Sequence, residues 1–334
     1  MTAARHPTFS VIIETENLAV EDADALLGAL DSLAAQTLPL ERADDVVLVN
    51  SGRVPARVEA DIRTRLPGMR IHALAPGHTY YEAKQDPVAS TTGDVVVFAD
   101  CDCRYAPGWL ESMLAPYADP ALNAEVVAGE TSVRPSGFQS CFIALAWCFP
   151  LHSRRDRPYR TTGYAANNVS FRRDLLSRLP LPVRLRLYRG NCTLHARQLA
   201  DDGVVIWRAP GARAFHPTLP ASHVPARFFM WGHHEAKICI EKHRGDAGVL
   251  SRLAGIVGDL VAVLLRRTAM PFIRWPGLVR RHPFALVYTP LLLGYVAAAD
   301  LLFLLGIVAT VTFPSMSLMS LAKSLEAAEQ RSDG

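Results

Sequence analysis

Several common chemical frameworks are missing from this sequence. Its six cysteines include no Cys-x-x-Cys pair, which removes a thioredoxin-like couple and a zinc ribbon. The stretch WGHHEAK (231–237) approaches a zinc-protease signature. However, His-Glu-x-x-His would need histidine at 238, where Ile238 stands. The segment ETENLAVED (14–22) holds no glycine, so the Gly-rich triphosphate loop of a sugar nucleotidyltransferase is absent. No Lys/Arg-rich arm with interleaved aromatics occurs, and 35 basic against 32 acidic residues give a net charge of only +3. Nucleic acid is therefore not an expected partner. Residues 1–10 lack the apolar core of a signal peptide, so free thiols in a reducing compartment are expected. Internal repeats and low-complexity linkers are also lacking.

What remains is a chain of 334 residues, half of them hydrophobic, enough for one large domain or two smaller ones. Short apolar runs at 9–17, 44–52, 69–74 and 94–102 alternate with helix-period segments at 24–36, 58–66, 79–91 and 108–118. That alternation predicts an α/β fold with a mixed, mostly parallel sheet and helices on both faces. In such sheets ligands bind beyond the carboxyl ends of the strands. The polar residues expected there are Glu14–Asn17, Asn50–Gly52 and Asp100–Asp102. Further strands are expected at 124–135 and 204–217, the second leaving the sheet at His216. A helix is expected at 193–203.

The run GDVVVFADCDCRYAPGWLE (93–111) carries the sharpest chemistry. Successive side chains of an extended chain alternate, so Asp100 and Asp102 point one way and the thiols of Cys101 and Cys103 the other. Two hard oxygens at a strand exit suit Mg²⁺ or Mn²⁺ held jointly with a phosphate ligand. A Cys-x-Cys zinc site would need two more ligands, and no suitably spaced Cys/His pair is nearby. Taken alone, Asp-x-Asp is also common at ordinary strand ends.

The order of segments resembles a family 2 glycosyltransferase of the GT-A fold over residues 8–245. The similarity rests on SVIIETEN, DSLAAQ, VVLVNSG, the run 93–111, GYAANNVSFRRDLL and LHARQLADDGVVIWRAPGARAFHP, in that order. It implies a nucleotide-diphosphate sugar donor, of UDP or GDP type, and a divalent cation. By position, Thr15 and Glu16 would lie beside the nucleotide base, and Asn50 where an Asp contacts base or ribose. Asp100 would meet the ribose or sugar, Asp102 would hold the metal, and His216 would complete its shell. Departures are Glu14 for the usual Pro, Glu16 for an aromatic or Arg, and Gly190-Asn191 where inverting members carry a Glu-Asp pair. An amide accepts no proton at neutral pH, so Asn191 is not a general base. Three accounts follow. Another carboxylate serves, with Glu130 the first candidate; the reaction retains configuration; or the chain binds a nucleotide sugar without turnover.

Residues 286–308 form a 23-residue window broken in charge only by Asp300. A helical span needs ~20 apolar residues. A membrane span or re-entrant hairpin over 284–312 is expected, preceded by an interfacial helix at 249–267 and followed by a polar tail. The divisions expected are thus 1–245 and 246–334. Arg280-Arg281-His282 just before the window predicts a cytoplasmic start, and hence a cytoplasm-facing catalytic domain on the cytoplasmic membrane. Ten arginines against two acids between His152 and Arg189 read equally as a solvated face or as a site for an acceptor phosphate or lipid headgroups. The expected acceptor is lipid-linked or a membrane-proximal saccharide.

Overall fold

A computed structural model describes residues 6–16, 23–50, 52, 54, 56–75, 77–183, 185, 187, 190–219, 221–246 and 248–313. The expectation for Asn17 lies outside the described residues. In chain order the first elements are β1 (Phe9–Glu14), α1 (Ala23–Ala34), β2 (Asp45–Asn50), α2 (Glu59–Arg65), β3 (Arg70–Ala73) and α3 (Tyr80–Gln85). Next come β4 (Val95–Asp100), β5 (Arg104–Tyr105), α4 (Trp109–Ala118), β6 (Val126–Ser132), α5 (Phe138–Ala146), β7 (Tyr159–Thr161) and β8 (Asn168–Arg172). The chain continues through α6 (Arg173–Arg178), α7 (Asn191–Asp201), β9 (Ile206–Phe215), α8 (Val224–Lys242), α9 (Val249–Arg281) and α10 (Thr289–Thr312).

These elements form two compact units. The first holds residues up to 132, 152–186 and 191–217; the second holds 133–151, 187–190 and the residues from 218 onward. All the strands belong to the first unit, in the order β3-β2-β1-β4-β8-β6-β9-β5, with β7 also on β9. β3, β2, β1 and β4 pair parallel, as does β6 with β9, whereas β8 runs antiparallel to both β4 and β6. By paired length the sheet is mostly parallel.

Alternation along each strand sorts the core into two layers. Val11, Ile13, Leu48, Val95 and Val97 meet Leu26 and Leu30 of α1, Ile62 of α2 and Trp109 and Met113 of α4. Ile12, Val47, Val49, Val96 and Phe98 meet Tyr81 of α3, Leu175 of α6 and Leu199 of α7. Helices thus cover both faces, and β4 is buried along its whole length, as a central parallel strand requires. The fold class expected from the alternation is present. The insertion of β8 between β4 and β6 was not foreseeable from spacing, since local pattern carries no information on strand order.

One core histidine makes this unit sensitive to acid. The ring of His195, fully buried, donates from Nε2 to the Leu179 carbonyl (3.0 Å) and accepts at Nδ1 from the Tyr164 hydroxyl (2.6 Å). Burial holds its pKa down from the ordinary 6.5 to about 4. The folded value lies below the unfolded one, so this stabilisation is complete above pH 6.5 and disappears as pH falls toward 4. The loss is about 3 kcal/mol. Chemical denaturation at pH 7 and pH 4.5 should show a steeper loss for the natural chain than for His195→Gln; equal slopes would refute this.

In the second unit α8 and α10 pack at backbone distance. A Cβ added at Gly232 would collide with the Phe303 carbonyl, and one at Gly306 with the Phe229 carbonyl. His233 Nδ1 donates to Thr310 Oγ1 (2.7 Å), whose hydroxyl donates to the Gly306 carbonyl. Asp300, the one charge in the apolar window, pairs with Arg267 of α9 at 2.8 Å. The Arg267 guanidinium in turn lies 4.4–4.6 Å from the ring centroids of Phe228, Trp231 and Phe303. α10 is one unbroken helix, and α9 continues past residue 267 to Arg281.

Candidate active site

The parallel register aligns three strand exits on one edge. Glu14 pairs with Asp100, and β2 ends alongside at Asn50. Thr15 is buried, and its hydroxyl donates to the Val49 carbonyl (2.6 Å). The Glu16 amide donates to the carboxylate of fully buried Glu14. Asn50 Oδ1 accepts from the amides of Gly52 (2.8 Å) and Val54 (3.2 Å), an Asx turn that shapes the loop after β2. Gly52 has φ +90° there, a conformation glycine adopts without strain.

Asp100 is buried and held from three sides. Lys84 Nζ lies 2.6 Å from its Oδ1, the Tyr80 hydroxyl lies 2.9–3.0 Å from both oxygens, and its amide donates to the Tyr105 hydroxyl (2.7 Å). Lys84 is itself fully buried, with its ammonium 4.8 Å from the Tyr80 ring centroid. Sequence reasoning missed Lys84; a single lysine in a short amphipathic helix gives no signal of burial. Tyr105 passes the contact onward, donating to the Asn167 carbonyl (3.1 Å). The Asn167 side chain accepts from Thr131 Oγ1 (2.9 Å) and donates to Cys103 Sγ (3.6 Å). Trp109, in the PGWL segment, donates to Asn168 Oδ1 (2.8 Å). The turn carrying Asp102 is therefore braced at Cys103 by Asn167, just before β8.

Cys101 and Cys103 are fully buried. Burial, with the neighbouring aspartates, pushes both thiols well above their ordinary pKa. They are protonated packing groups, not thiolate ligands.

Asp102 is different: it stays partly exposed, and its Oδ2 lies 3.5 Å from His216 Nε2. That is long for a direct hydrogen bond. Two ligands of one divalent cation, at bond lengths of ~2.1 Å, stand roughly 3 Å apart. His216 Nδ1 donates to the Pro217 carbonyl (2.7 Å), so in the neutral ring Nε2 keeps the lone pair that faces Asp102. A second hydrogen bond fixing the tautomer is typical of metal-binding histidines. The His216 amide also donates to the Ser132 carbonyl (2.9 Å), which locates the ring. Among the described residues no group of three or more His, Cys, Asp and Glu is arranged around a metal. An oxygen–nitrogen pair that leaves most positions to phosphate and water fits Mg²⁺ or Mn²⁺ better than a closed structural site.

Glu130 and Asn191 stand apart from this pair in their bonding. Glu130 is buried; its Oε2 accepts from the Ser153 amide (2.7 Å) and its Oε1 from the Tyr159 hydroxyl (3.1 Å). Asn191 opens α7, is buried, and turns its amide to the carbonyls of Pro182 and Leu185.

The comparisons with known proteins agree with this layout. No curated protein sequence matches the chain significantly. Among solved structures, the mannosyltransferase PcManGT from Pyrobaculum calidifontis, in complex with GDP-Man and Mn²⁺, aligns with a TM-score of 0.52 at 18% identity. That alignment covers 90% of this chain and 88% of that one. GalNAc-T7 with UDP, GalNAc and Mn²⁺ aligns at 0.53 with 15% identity over 76% of this chain, which spans only 55% of that protein. S. aureus TarS 1–349 in complex with UDP-GlcNAc gives 0.53, 15% identity, and 78% and 72% coverage. At these identities the likeness shows the fold, and that fold is GT-A. The model of the family "Glycosyl transferase family 2" matches residues 10–179, just over half of the chain. The chain therefore belongs to glycosyl transferase family 2.

Proposed function

We propose that this protein transfers a sugar from a UDP- or GDP-type nucleotide sugar to a lipid-linked or membrane-proximal acceptor, with Mg²⁺ or Mn²⁺. The observation that carries the reading is the Asp102–His216 pair at the carboxyl edge of a family 2 sheet, with His216 Nε2 facing the carboxylate. Asp102 and His216 would hold the cation, which when bound neutralises charge on the diphosphate leaving group. Thr15, Glu16, Asn50 and Asp100 line the strand exits where the nucleotide and sugar would lie. Lys84 and Tyr80 hold the Asp100 carboxylate in place by pairing and hydrogen bonding. A panel of UDP- and GDP-sugars with Mn²⁺, with and without chelator, tests this. Metal-dependent turnover is expected, and nucleotide binding without turnover in the presence of membranes would sink the transferase reading. That outcome would favour a catalytically silent nucleotide-sugar-binding protein, an alternative supported by the inward-turned amide of Asn191.

Attachment to the cytoplasmic membrane, with the sheet unit facing the cytoplasm, completes the proposal. α10 has 24 residues, about 36 Å of helix, against ~30 Å of hydrocarbon. Among the described residues it is the helix long and apolar enough to cross a bilayer. α9 departs from the usual amphipathic arrangement by leaving large apolar side chains exposed. Val257, Val261, Leu265, Phe272 and Ile273 are exposed. Three of its charged groups turn to partners within the unit, Asp259 to Lys242 and His243, Arg267 to Asp300, and Arg274 to the carbonyls of Leu145 and Trp147. Every exposed large hydrophobic among the described residues lies between Val249 and Phe313. Such a concentration supports contact with lipid. The full chain is expected to stay in the membrane pellet after alkaline carbonate washing; recovery in the supernatant would refute the attachment.

A further inference from the structure

The segment His152–Arg160 holds four arginines against one aspartate. Its formal charge of +3 equals that of the whole chain, so everything else balances to zero. A run of charge is ordinarily no more than a solvated face. This one is tied down at both ends by one buried group. The sequence shifts register on β9 between Ala128 and Glu130, a bulge that re-aims the following side chain. Gly129 permits it, because a Cβ there would collide with Asn168 and the Ala212 carbonyl. The Glu130 carboxylate then takes the Ser153 amide on one oxygen and the Tyr159 hydroxyl on the other. Burying a carboxylate is costly unless its oxygens are hydrogen-bonded, and here both bonds go to the arginine-rich loop.

The anchoring extends to the cations themselves. Arg155 stacks on the Tyr159 ring at 4.2 Å, and Arg160 lies 5.6 Å from the Trp207 ring centroid. Burial and the Glu130 charge raise the pKa of Tyr159, which keeps its phenol protonated and donating. Arg154, Arg155, Arg157 and Arg160 are all exposed. The loop also starts beside the metal pair: His152 donates to the Ala214 carbonyl (3.1 Å) and packs on Phe215 at 4.8 Å, one residue before His216.

We propose that Glu130 is a positioning residue, and that the loop it pins, Ser153–Tyr159, binds the phosphate of a phosphate-bearing acceptor through Arg154, Arg155 and Arg157. Three guanidinium groups within four positions suit a multiply charged anion with several acceptor oxygens better than a lone carboxylate. The proposal deepens the transferase reading and rests on it for the word acceptor; the anion site itself does not.

The test uses the full chain in neutral detergent micelles. Binding is measured for two phosphate sources, inorganic pyrophosphate in solution and phosphatidic acid mixed into the micelles. Mn²⁺-dependent binding of UDP and GDP is measured in parallel. The triple variant Arg154→Ser/Arg155→Ser/Arg157→Ser changes only exposed side chains. It should weaken phosphate binding by roughly a hundred-fold, at about five-fold per arginine, and leave nucleotide binding unchanged. Tyr159→Phe and Glu130→Gln keep all the arginines yet should each weaken phosphate binding several-fold, again sparing nucleotide. Preference for phosphatidic acid identifies a lipid-borne acceptor, and preference for pyrophosphate a soluble one. Wild-type phosphate binding that is absent, or unaltered in the triple variant, overturns the proposal. So does a parallel loss of nucleotide binding, which would place the loop in the donor subsite. Failure of the transferase reading looks different: phosphate binds, and no nucleotide does.

Discussion

Replacing Asp102 with alanine is expected to lower Mn²⁺-dependent affinity for UDP or GDP by more than about 100-fold. Loss of a group that merely supports a metal ligand typically costs about 10- to 100-fold in metal affinity, and Asp102 would be a ligand itself. His216→Ala should have a smaller effect, because the carboxylate carries the charge. Asp102→Asn should fall between them, retaining one oxygen donor without charge. Calorimetric titration of nucleotide with Mn²⁺ and with chelator reads all three. Chelator-insensitive binding in the natural chain, or unchanged Mn²⁺-dependent binding in Asp102→Ala, would remove the metal assignment. Packing is not at risk, since Asp102 is partly exposed and its neighbours Cys101 and Cys103 supply the buried contacts.

The largest stability effect is expected at Lys84. Lys84→Met removes a fully buried ammonium that faces Asp100 at 2.6 Å and leaves the carboxylate with the Tyr80 hydroxyl. Breaking a buried pair from one side typically costs about 3–5 kcal/mol, because the remaining charge is uncompensated. The double change Lys84→Met/Asp100→Asn should recover much of that loss, since a neutral amide needs no counter-charge. Equilibrium denaturation of the four chains gives the coupling directly. Additive losses would mean that the pair is not a unit. The same series separates stability from function. The double variant should fold yet bind donor weakly if the Asp100 charge meets the sugar or ribose, and undiminished donor binding would remove Asp100 from the site.

Glu130 marks where sequence reasoning reaches its limit. As a carboxylate on a strand near the site, it is the natural candidate for the base missing at Asn191. Its two oxygens accept from Ser153 and Tyr159, partners 23 and 29 residues away. Composition reveals a carboxylate and an arginine run; it does not reveal that one holds the other. Lys84 is the same lesson in reverse, an unremarkable lysine in helix α3 whose burial depends on strand β4.

The α/β class and the positions of the strand exits can be read from the chain alone, because a residue's periodic pattern and its place at the end of an apolar run are local properties. Asp100 at the end of β4, Asp102 just beyond it, Asn50 on β2 and His216 after β9 were legible in that way. The ordered motifs were specific enough to identify the family. What those residues touch depends on how distant segments pack. Strand order placed β8 between β4 and β6. Parallel register set Glu14 against Asp100. The path of β9 brought His216 to Asp102 across more than a hundred residues. Two aspartates separated by one residue thus met different surroundings, because their partners come from segments far away in the chain. Asp100 was drawn under α3 and paired with a buried lysine, while Asp102 was left partly exposed at the rim, facing His216.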